Sequence, residues 1–473
     1  MRSSRVLTHK HYWIALYSAL FILLTAISWF GLAPKVCSHE FNGVLKPVRV
    51  IKLGDGWSGN TVNTVICRHH GILTWNNLQF TAFYSQEGKI RFAKRDLKSN
   101  QIDITELPGT YNPSNAHNSI SMGIDKKGFL HISYNQHVGP LHYRRSKTPL
   151  SIHQWTDELQ MTGKREDRVT YPTFIMSNKS TDRAGLLFLY RNGYSGKGDA
   201  CLKEYNESLL EWYDIQPCIL SGSKQKPWTS SPYWNHPTID KLGRLHLTFV
   251  WRIWPLGSEK RIVNLNIDYA VSMDWGHTWL SSRGLKFRLP ITQVTSETIH
   301  AVPPGSNLIN QCSSAVDSHG RPHIVFYADD FNGVPQYQHL WFDGREWRCC
   351  VVSDRTKPFD LEGGGTLQIP MSRPEIVIDK TDQVYVIYRC DTTGDRMVAT
   401  RLIPPRYEKN SSETKILWEE SLEFAEPVLD RMRWVKEQIL SMLIQRNSQP
   451  DHDSGVSPHA EPVYIVDWDL VNG

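Results

Sequence analysis

Apolar and polar residues alternate with a period of two in a pattern that recurs along the chain. Each copy is an alternating run, a turn of the Asp-x-x-Gly kind, and a second alternating run ending in an aromatic residue. The copies read ISMGIDKKGFLHISY at 120–134, PTIDKLGRLHLTF at 237–249, SSAVDSHGRPHIVF at 313–326 and PEIVIDKTDQVYVIY at 374–388. A looser copy with a longer turn occupies 172–190, and a degenerate one covers 64–84. Alternation sends successive side chains to opposite faces of a strand, and Asp and Gly favour the tight turn, so each copy predicts a β-hairpin. The spacing between copies leaves room for four strands each, which predicts a β-propeller.

A second pattern adds to this. The segment from Ser272 to Trp279 reads SMDWGHTW and fits S-x-D-x-G-x-T-W. It resembles the Asp-box of bacterial-neuraminidase repeats, a structural turn between the outer strands of a blade. About six blades are recognisable between residues 60 and 405. The strand-like stretch 461–470 is placed to pair with the region 44–53 and close the ring, which would remove open strand edges. Seven blades are expected, with five or six as alternatives. Residues 413–446 read as a helical extension, because Leu417, Leu422, Ala425, Leu429, Met432, Lys436 and Ile439 fall on one stripe, with Pro427 kinking it. Residues 448–458 read as a flexible linker. The expected class is therefore all-β: a seven-bladed β-propeller over 44–405, an N-terminal transmembrane segment within 1–35, and a C-terminal helical extension.

Composition narrows the compartment and the partners. The chain has 473 residues and a net charge of +5, with both signs mixed and no basic block of the kind that binds nucleic acid. Residues 14–32 carry no charge and follow Arg2, Arg5 and Lys10. That predicts a signal anchor in the membrane with the rest of the chain exported, or secretion if the segment is cleaved. The eight cysteines fit an oxidising compartment, with Cys201 and Cys218 the preferred disulfide. Asn178, Asn206 and Asn410 begin N-x-[ST] triplets, as in a glycoprotein. No Cys/His spacing signals a metal, and no cofactor motif is present.

The start of each first strand and the end of each second strand lie on one rim of a propeller. The starts carry Asn115, His117 and Asn118, then Tyr171, then Asn235 and His236, then Asn310, then Arg373; the ends carry His137, Arg191, Trp251 with Arg252, Asp329, and Arg389. His and Tyr suit proton transfer, and Arg matches a carboxylate in a bidentate fork. Those are the parts needed for elimination at a uronic acid: a base, an acid, and a cation on the carboxylate. Glycoside hydrolysis more commonly uses two carboxylates, and Asp329 and Asp330 are adjacent and point to opposite faces. His131, His246 and His323 recur at one strand position and read as structural.

The Asp-box, the D-x-x-G-x-x-H hairpins and the NAHNSI…YNQH segment together resemble the BNR-repeat propellers that include the ulvan lyases. The likeness covers most of 44–405. It implies cleavage of an acidic, uronate-containing polysaccharide, sulfated or not, by β-elimination. It further implies His117 and His137 as the two catalytic histidines, Tyr171 in proton transfer, and Arg191 as the carboxylate-neutralising residue. His236 and Arg252 would line the neighbouring substrate wall, with Asn118, Trp251, Arg373 and Arg389 as further substrate contacts. The membrane anchor and the C-terminal extension depart from a freely secreted degradative enzyme and leave the choice of polysaccharide open. Two other functions are compatible with the residues: a sialidase-type hydrolase, against which no Arg-Ile-Pro segment stands near the propeller's start, and a non-catalytic glycan-binding propeller.

Overall fold

The computed structural model describes residues 41–177, 185–225, 228–254, 263–408 and 413–473. The expected anchor at 14–32, Cys37, Asn178 and Asn410 lie outside the described residues. Among the described residues, no helix is long and apolar enough to cross a membrane.

Seven antiparallel sheets make a seven-bladed propeller. Blade 1 runs Ile72–Trp75, Leu78–Tyr84, Ile90–Asp96 and Ile102–Leu107. Blade 2 has three strands, Ser121–Ile124, Leu130–Ser133 and Tyr143–Arg145. Blade 3 is Val169–Met176, Leu186–Tyr194, Lys197–Asn206 and Glu211–Ser221. Blade 4 begins with the broken pair Ser230–Trp234 and Thr238–Ile239, followed by Leu245–Ile253, Val263–Ser272 and Glu297–His300. Blade 5 is Ser313–Val316, Pro322–Asp329, Pro335–Phe342 and Trp347–Val351; blade 6 is Glu375–Ile378, Val384–Tyr388, Met397–Leu402 and Glu413–Trp418. Burial falls from the first strand of a blade to the last: Glu375–Ile378 is wholly buried, whereas Trp347–Val351 is mostly exposed or half-exposed. Apolar faces of neighbouring blades meet in continuous clusters, the largest running from Val65 around to Ile416.

The recurring Asp and His explain the sequence repeat. In the turn of blade 2, Asp125 accepts backbone N–H bonds from Lys127 and Phe129 through Oδ1, and its Oδ2 faces His131 Nε2 at 3.5 Å. His131 Nδ1 then meets the Tyr143 hydroxyl at 2.7 Å. Blade 4 repeats this with Asp240, His246 and Tyr269. In blade 5 His323 lies between Asp317 and His339. The first two triads satisfy buried polar groups inside a hairpin, and His323 holds the same strand position, so these histidines are structural.

The Asp-box behaves as a turn. Asp274 accepts from the Thr278 backbone N–H and hydroxyl, both at 2.7 Å, and Ser272 Oγ accepts from the Gly276 N–H at 2.7 Å. Gly276 has φ of +94°, a conformation that costs glycine little. The turn folds Trp279 into the core at 1% exposure.

The ring closes with chain from both ends. Blade 7 consists of Val428–Leu429, Leu440–Ile444 and Ala460–Trp468, with the N-terminal strand Arg49–Trp57 as its outermost member. Arg49 pairs with Asp467 and Trp57 with Ala460 in antiparallel register. Asp467 ties the closure to blade 1 through Arg95 at 2.9 Å and to the helix Arg431–Glu437 through Arg433 at 2.7 Å. Both pairs are nearly sealed from water, and removal of the shared Asp467 would leave buried guanidinium charge uncompensated, costing about 3–5 kcal/mol.

Three sequence expectations need correction. Residues 413–446 are not a helical extension: they supply the outer strand of blade 6 and the inner strands of blade 7, and only Arg431–Glu437 is helical. Pairing with Met397–Leu402 and Ala460–Trp468 overrides the helical spacing, and Leu417, Leu422, Ala425 and Leu429 are instead buried together in one core cluster. Cys201 and Cys218 do not form a disulfide; both are free thiols on neighbouring strands of blade 3, where an irregularity separates the pairs Ala200–Leu220 and Leu202–Gln216. Residues 448–458 are not a linker but a fastened turn, whose Asp451 and Asp453 accept the backbone N–H groups of Gln368 and Thr366.

Candidate active site at the propeller mouth

At one end of the inner strands two adjoining cavities, of about 80 and 140 Å³, share His117, Tyr171, Arg252 and Gly365. The narrow wall between them is built from strand starts and strand ends, which is why the chemistry concentrates there.

His117 comes from the loop entering blade 2, and His137 from the loop leaving that blade's second strand. Their rings stack with centroids 4.1 Å apart and 7° between planes. Burial pushes His117 well below the ordinary imidazole range, and the charges of His137, Arg191, Arg373 and Arg252 push it further. Burial and Arg191 hold His137 at about 4. Both rings are therefore neutral near pH 7. A neutral imidazole can take a proton where an imidazolium cannot.

Tyr171 stands 5.9 Å from His117, ring centroid to ring centroid. It sits at a bulge in the first strand of blade 3, where the register slips opposite Leu189–Arg191, and its φ is +58°. A bulge re-aims a side chain, and a left-handed non-glycine residue stores strain that the surroundings must hold. Here the result is a Tyr pointing into the mouth instead of into the blade. Burial and the neighbouring Tyr233 raise its hydroxyl well above the ordinary phenol value, so Tyr171 remains protonated.

Arg191 completes the group. It is 1% exposed, donates from Nη1 to the Tyr233 hydroxyl at 2.8 Å, and lies over the Tyr171 ring at 4.8 Å. Its Nη2 reaches Thr170 Oγ1 at 3.3 Å and its Nε has no partner. Among the described residues no carboxylate pairs with it. A buried guanidinium without a counter-ion is costly, and such a group is a ready seat for an anionic ligand. Arg252 lies beside it, stacked on Tyr233 at 4.4 Å and bonded to Asn264, Asn310, Ser195 and Tyr233, again without a carboxylate. Burial raises the Tyr233 hydroxyl, but Arg252 and Arg191 outweigh this and draw it below its ordinary value.

The sequence matches the BNR repeat-containing family over residues 78–355. The chain belongs to that family. No curated protein matches it. Two solved structures show the same overall fold as this BNR-repeat propeller. The polysaccharide lyase Uly1 superposes with a TM-score of 0.63 at 14% identity, over 90% of this chain and 100% of that one. A PL25 ulvan lyase, bound to -[GlcA(1-4)Rha3S]-, gives 0.62 at 15% identity over 89% of this chain and 96% of its own.

Within this BNR-repeat propeller the expected residues divide sharply. His117, His137, Tyr171, Arg191 and Arg252 come together at the mouth. Arg373 and Arg389 border the cavity of about 80 Å³ but are already engaged. Arg373 pairs with Glu426 at 2.8 Å, and Arg389 spends its donors on the carbonyls of Ile369, Phe424 and Ala425 and on Asp395. His236 is elsewhere: it lies between Glu375 at 3.0 Å and the Ile66 carbonyl at 2.7 Å and touches His69. Trp251 is fully buried and donates to Asp268. Asn118 braces its own loop by donating to the Asn112 carbonyl and accepting from the Tyr84 hydroxyl.

The misplacement of His236 has a simple cause. Blade 4 starts seven residues earlier than its hairpin pattern shows, at Ser230, and breaks before Thr238. Tyr233, not His236, occupies the rim position. Its only signal was the β-prone aromatic pair Tyr233–Trp234 before Asn235, which the Asp-x-x-Gly pattern does not include. Asn115 was placed on the rim without a role, and the glycine loop at 363–365 was missed as part of the site. Gly363 and Gly365 have φ of +85° and +77°, and a Cβ on either would press into the turn at His452 and Asp453, 2.3 and 3.0 Å away. That close approach carries Thr366 Oγ1 to 3.5 Å from His117 Nδ1.

Proposed function

We propose that this BNR-repeat propeller is a polysaccharide lyase that cleaves an acidic, uronate-containing glycan by β-elimination. The observation that carries the reading is the buried, carboxylate-free Arg191 over the ring of a protonated Tyr171, which itself stands 5.9 Å from a neutral His117. Opposite pKa pressures on two neighbouring groups assign base and acid.

In this reading the uronate carboxylate lies on Arg191, with Arg252 beside it. Neutralising that carboxylate stabilises the negative charge that develops when the adjacent C5 hydrogen leaves. His117 takes that proton. The C5–H electron pair becomes the C4=C5 double bond as the C4–O4 bond breaks. Tyr171 gives its proton to the departing oxygen, and proton exchange with solvent restores both groups. No water is consumed and no oxidation state changes.

Glu426 is the one carboxylate among the described residues lining the two cavities, and it is bound to Arg373 and to the Ile66 N–H. A pair of carboxylates astride a glycosidic bond, as most hydrolases use, is therefore missing from this mouth as described. The likeness in fold to two polysaccharide lyases supports the class of reaction and leaves the sugar open. The test is formation of unsaturated uronate from a panel of uronic-acid polymers, with sulfated and unsulfated members, and its loss in Tyr171→Phe.

A further inference from the structure

The carboxamide of Asn115 bridges the two stacked imidazoles. The backbone N–H of His117 donates to Asn115 Oδ1 at 2.9 Å. A backbone N–H can only donate, so that end of the amide is the oxygen and the opposite end is the NH2 group. The NH2 nitrogen lies 3.1 Å from His137 Nδ1. It can only donate, so His137 Nδ1 is the bare acceptor and the ring proton sits on Nε2. Asn115 Oδ1 also lies 3.3 Å from His117 Nδ1, nearer than the Thr366 hydroxyl at 3.5 Å, which can accept as well as donate. An amide oxygen can only accept, so His117 Nδ1 carries the proton and its Nε2 is bare. Turning the amide over would set two donors against each other at the His117 backbone.

We propose that Asn115 is a positioning residue that locks the two histidines in opposite tautomers, making His117 Nε2 the proton acceptor and His137 Nε2–H a hydrogen-bond donor to the same substrate. Both Nε2 atoms lack a hydrogen-bond partner among the described residues, and both rings border one cavity. Two like tautomers would give the site two bases or two donors. Opposite ones give it a base beside a donor within one 4.1 Å stack. His137 can then hold a hydroxyl or ring oxygen of the sugar while His117 reaches the C5 hydrogen. A single acceptor on the far side of one histidine is the usual orienting device; here one amide serves two rings, using both of its ends.

The assignment of His117 as the base rests on the lyase reading, but the tautomers themselves do not, and the experiment separates the two. Long-range proton–nitrogen correlation spectra of the full chain, labelled with ¹⁵N at histidine, identify which nitrogen of each ring is protonated. His117→Asn and His137→Asn spectra supply the assignments. The expected result is an Nδ1–H pattern for His117 and an Nε2–H pattern for His137. Asn115→Asp keeps the size of the side chain but replaces the NH2 donor by an acceptor. It is expected to move the His137 proton to Nδ1 and to lower kcat by about tenfold or more, with KM within about twofold. Like tautomers in the unmutated protein, or an unmoved His137 proton in Asn115→Asp, would overturn the proposal. Opposite tautomers in a protein that forms no unsaturated uronate would uphold the lock and remove the lyase assignment instead.

Discussion

The guanidinium of Arg191 lies over the ring of Tyr171, 4.8 Å from its centroid, and has no carboxylate partner among the described residues. A charge held this way works against the fold and for a ligand. Arg191→Gln is predicted to leave Tm unchanged or to raise it, because the buried uncompensated charge is gone. The same change is predicted to lower kcat/KM on the uronate polymer by about 10²–10³-fold, the scale of losing one donor to a developing oxyanion. Calorimetry and initial rates on one preparation check both halves.

Tyr171 is strained and protonated, so its hydroxyl and its shape can be separated. Tyr171→Phe keeps the ring under Arg191 and removes the acid. The expected outcome is a loss in kcat of about 10²–10⁴-fold with glycan retention close to that of the unmutated protein. Affinity electrophoresis in polymer-loaded gels, alongside turnover, distinguishes this from loss of the site.

Acid weakens the fold through buried histidines, of which His137 lies at the mouth and His70 lies outside it. Burial and Arg191 hold His137 at about 4, and burial lowers His70 to about 3. In the unfolded chain these groups titrate near ~6.5. Below that value the unfolded state binds more protons than the folded one. Their contribution to stability is full above about pH 6.5 and is lost as the pH falls toward about 4 and then 3. Urea unfolding at pH 7 and pH 5 is expected to show a drop at the lower pH, smaller in His137→Asn. The pH profile of kcat/KM is expected to show no loss at the ordinary imidazole value, since His117 stays neutral through it.

The Asp-box predicts stability without activity. Asp274 accepts two bonds at 2.7 Å from Thr278. Asp274→Ala is predicted to cost about 1.5–3 kcal/mol in denaturant unfolding, the range for hydrogen bonds to a charged group, with kcat unchanged in the folded fraction.

The hairpins and the turn at Asp274 were legible because each is local, with alternation and turn chemistry on neighbouring residues; the seventh blade followed only from the need to close the ring with the two strand-like stretches near the chain ends. Glu413–Trp418 and Leu440–Ile444 were not, since their partners, Met397–Leu402 and Ala460–Trp468, decide strand over helix. Tyr171 and Arg191 could be placed on one rim by register alone. Tyr233 was hidden by the broken first strand of blade 4. The pairing that makes Arg373 and Arg389 structural was invisible for another reason: Glu426 and the Phe424 and Ala425 carbonyls reach them from a stretch that resembled a helix.

The most direct test of the central claim is ultraviolet absorbance of the conjugated unsaturated uronate during incubation of the protein with ulvan, glycosaminoglycans and alginate. The account predicts a rise with at least one of these polymers, and none with His117→Ala or Tyr171→Phe. A rise that persists in both variants would contradict the assigned base and acid. No rise with any polymer, beside measurable glycan binding, would contradict the lyase and leave a glycan-binding propeller.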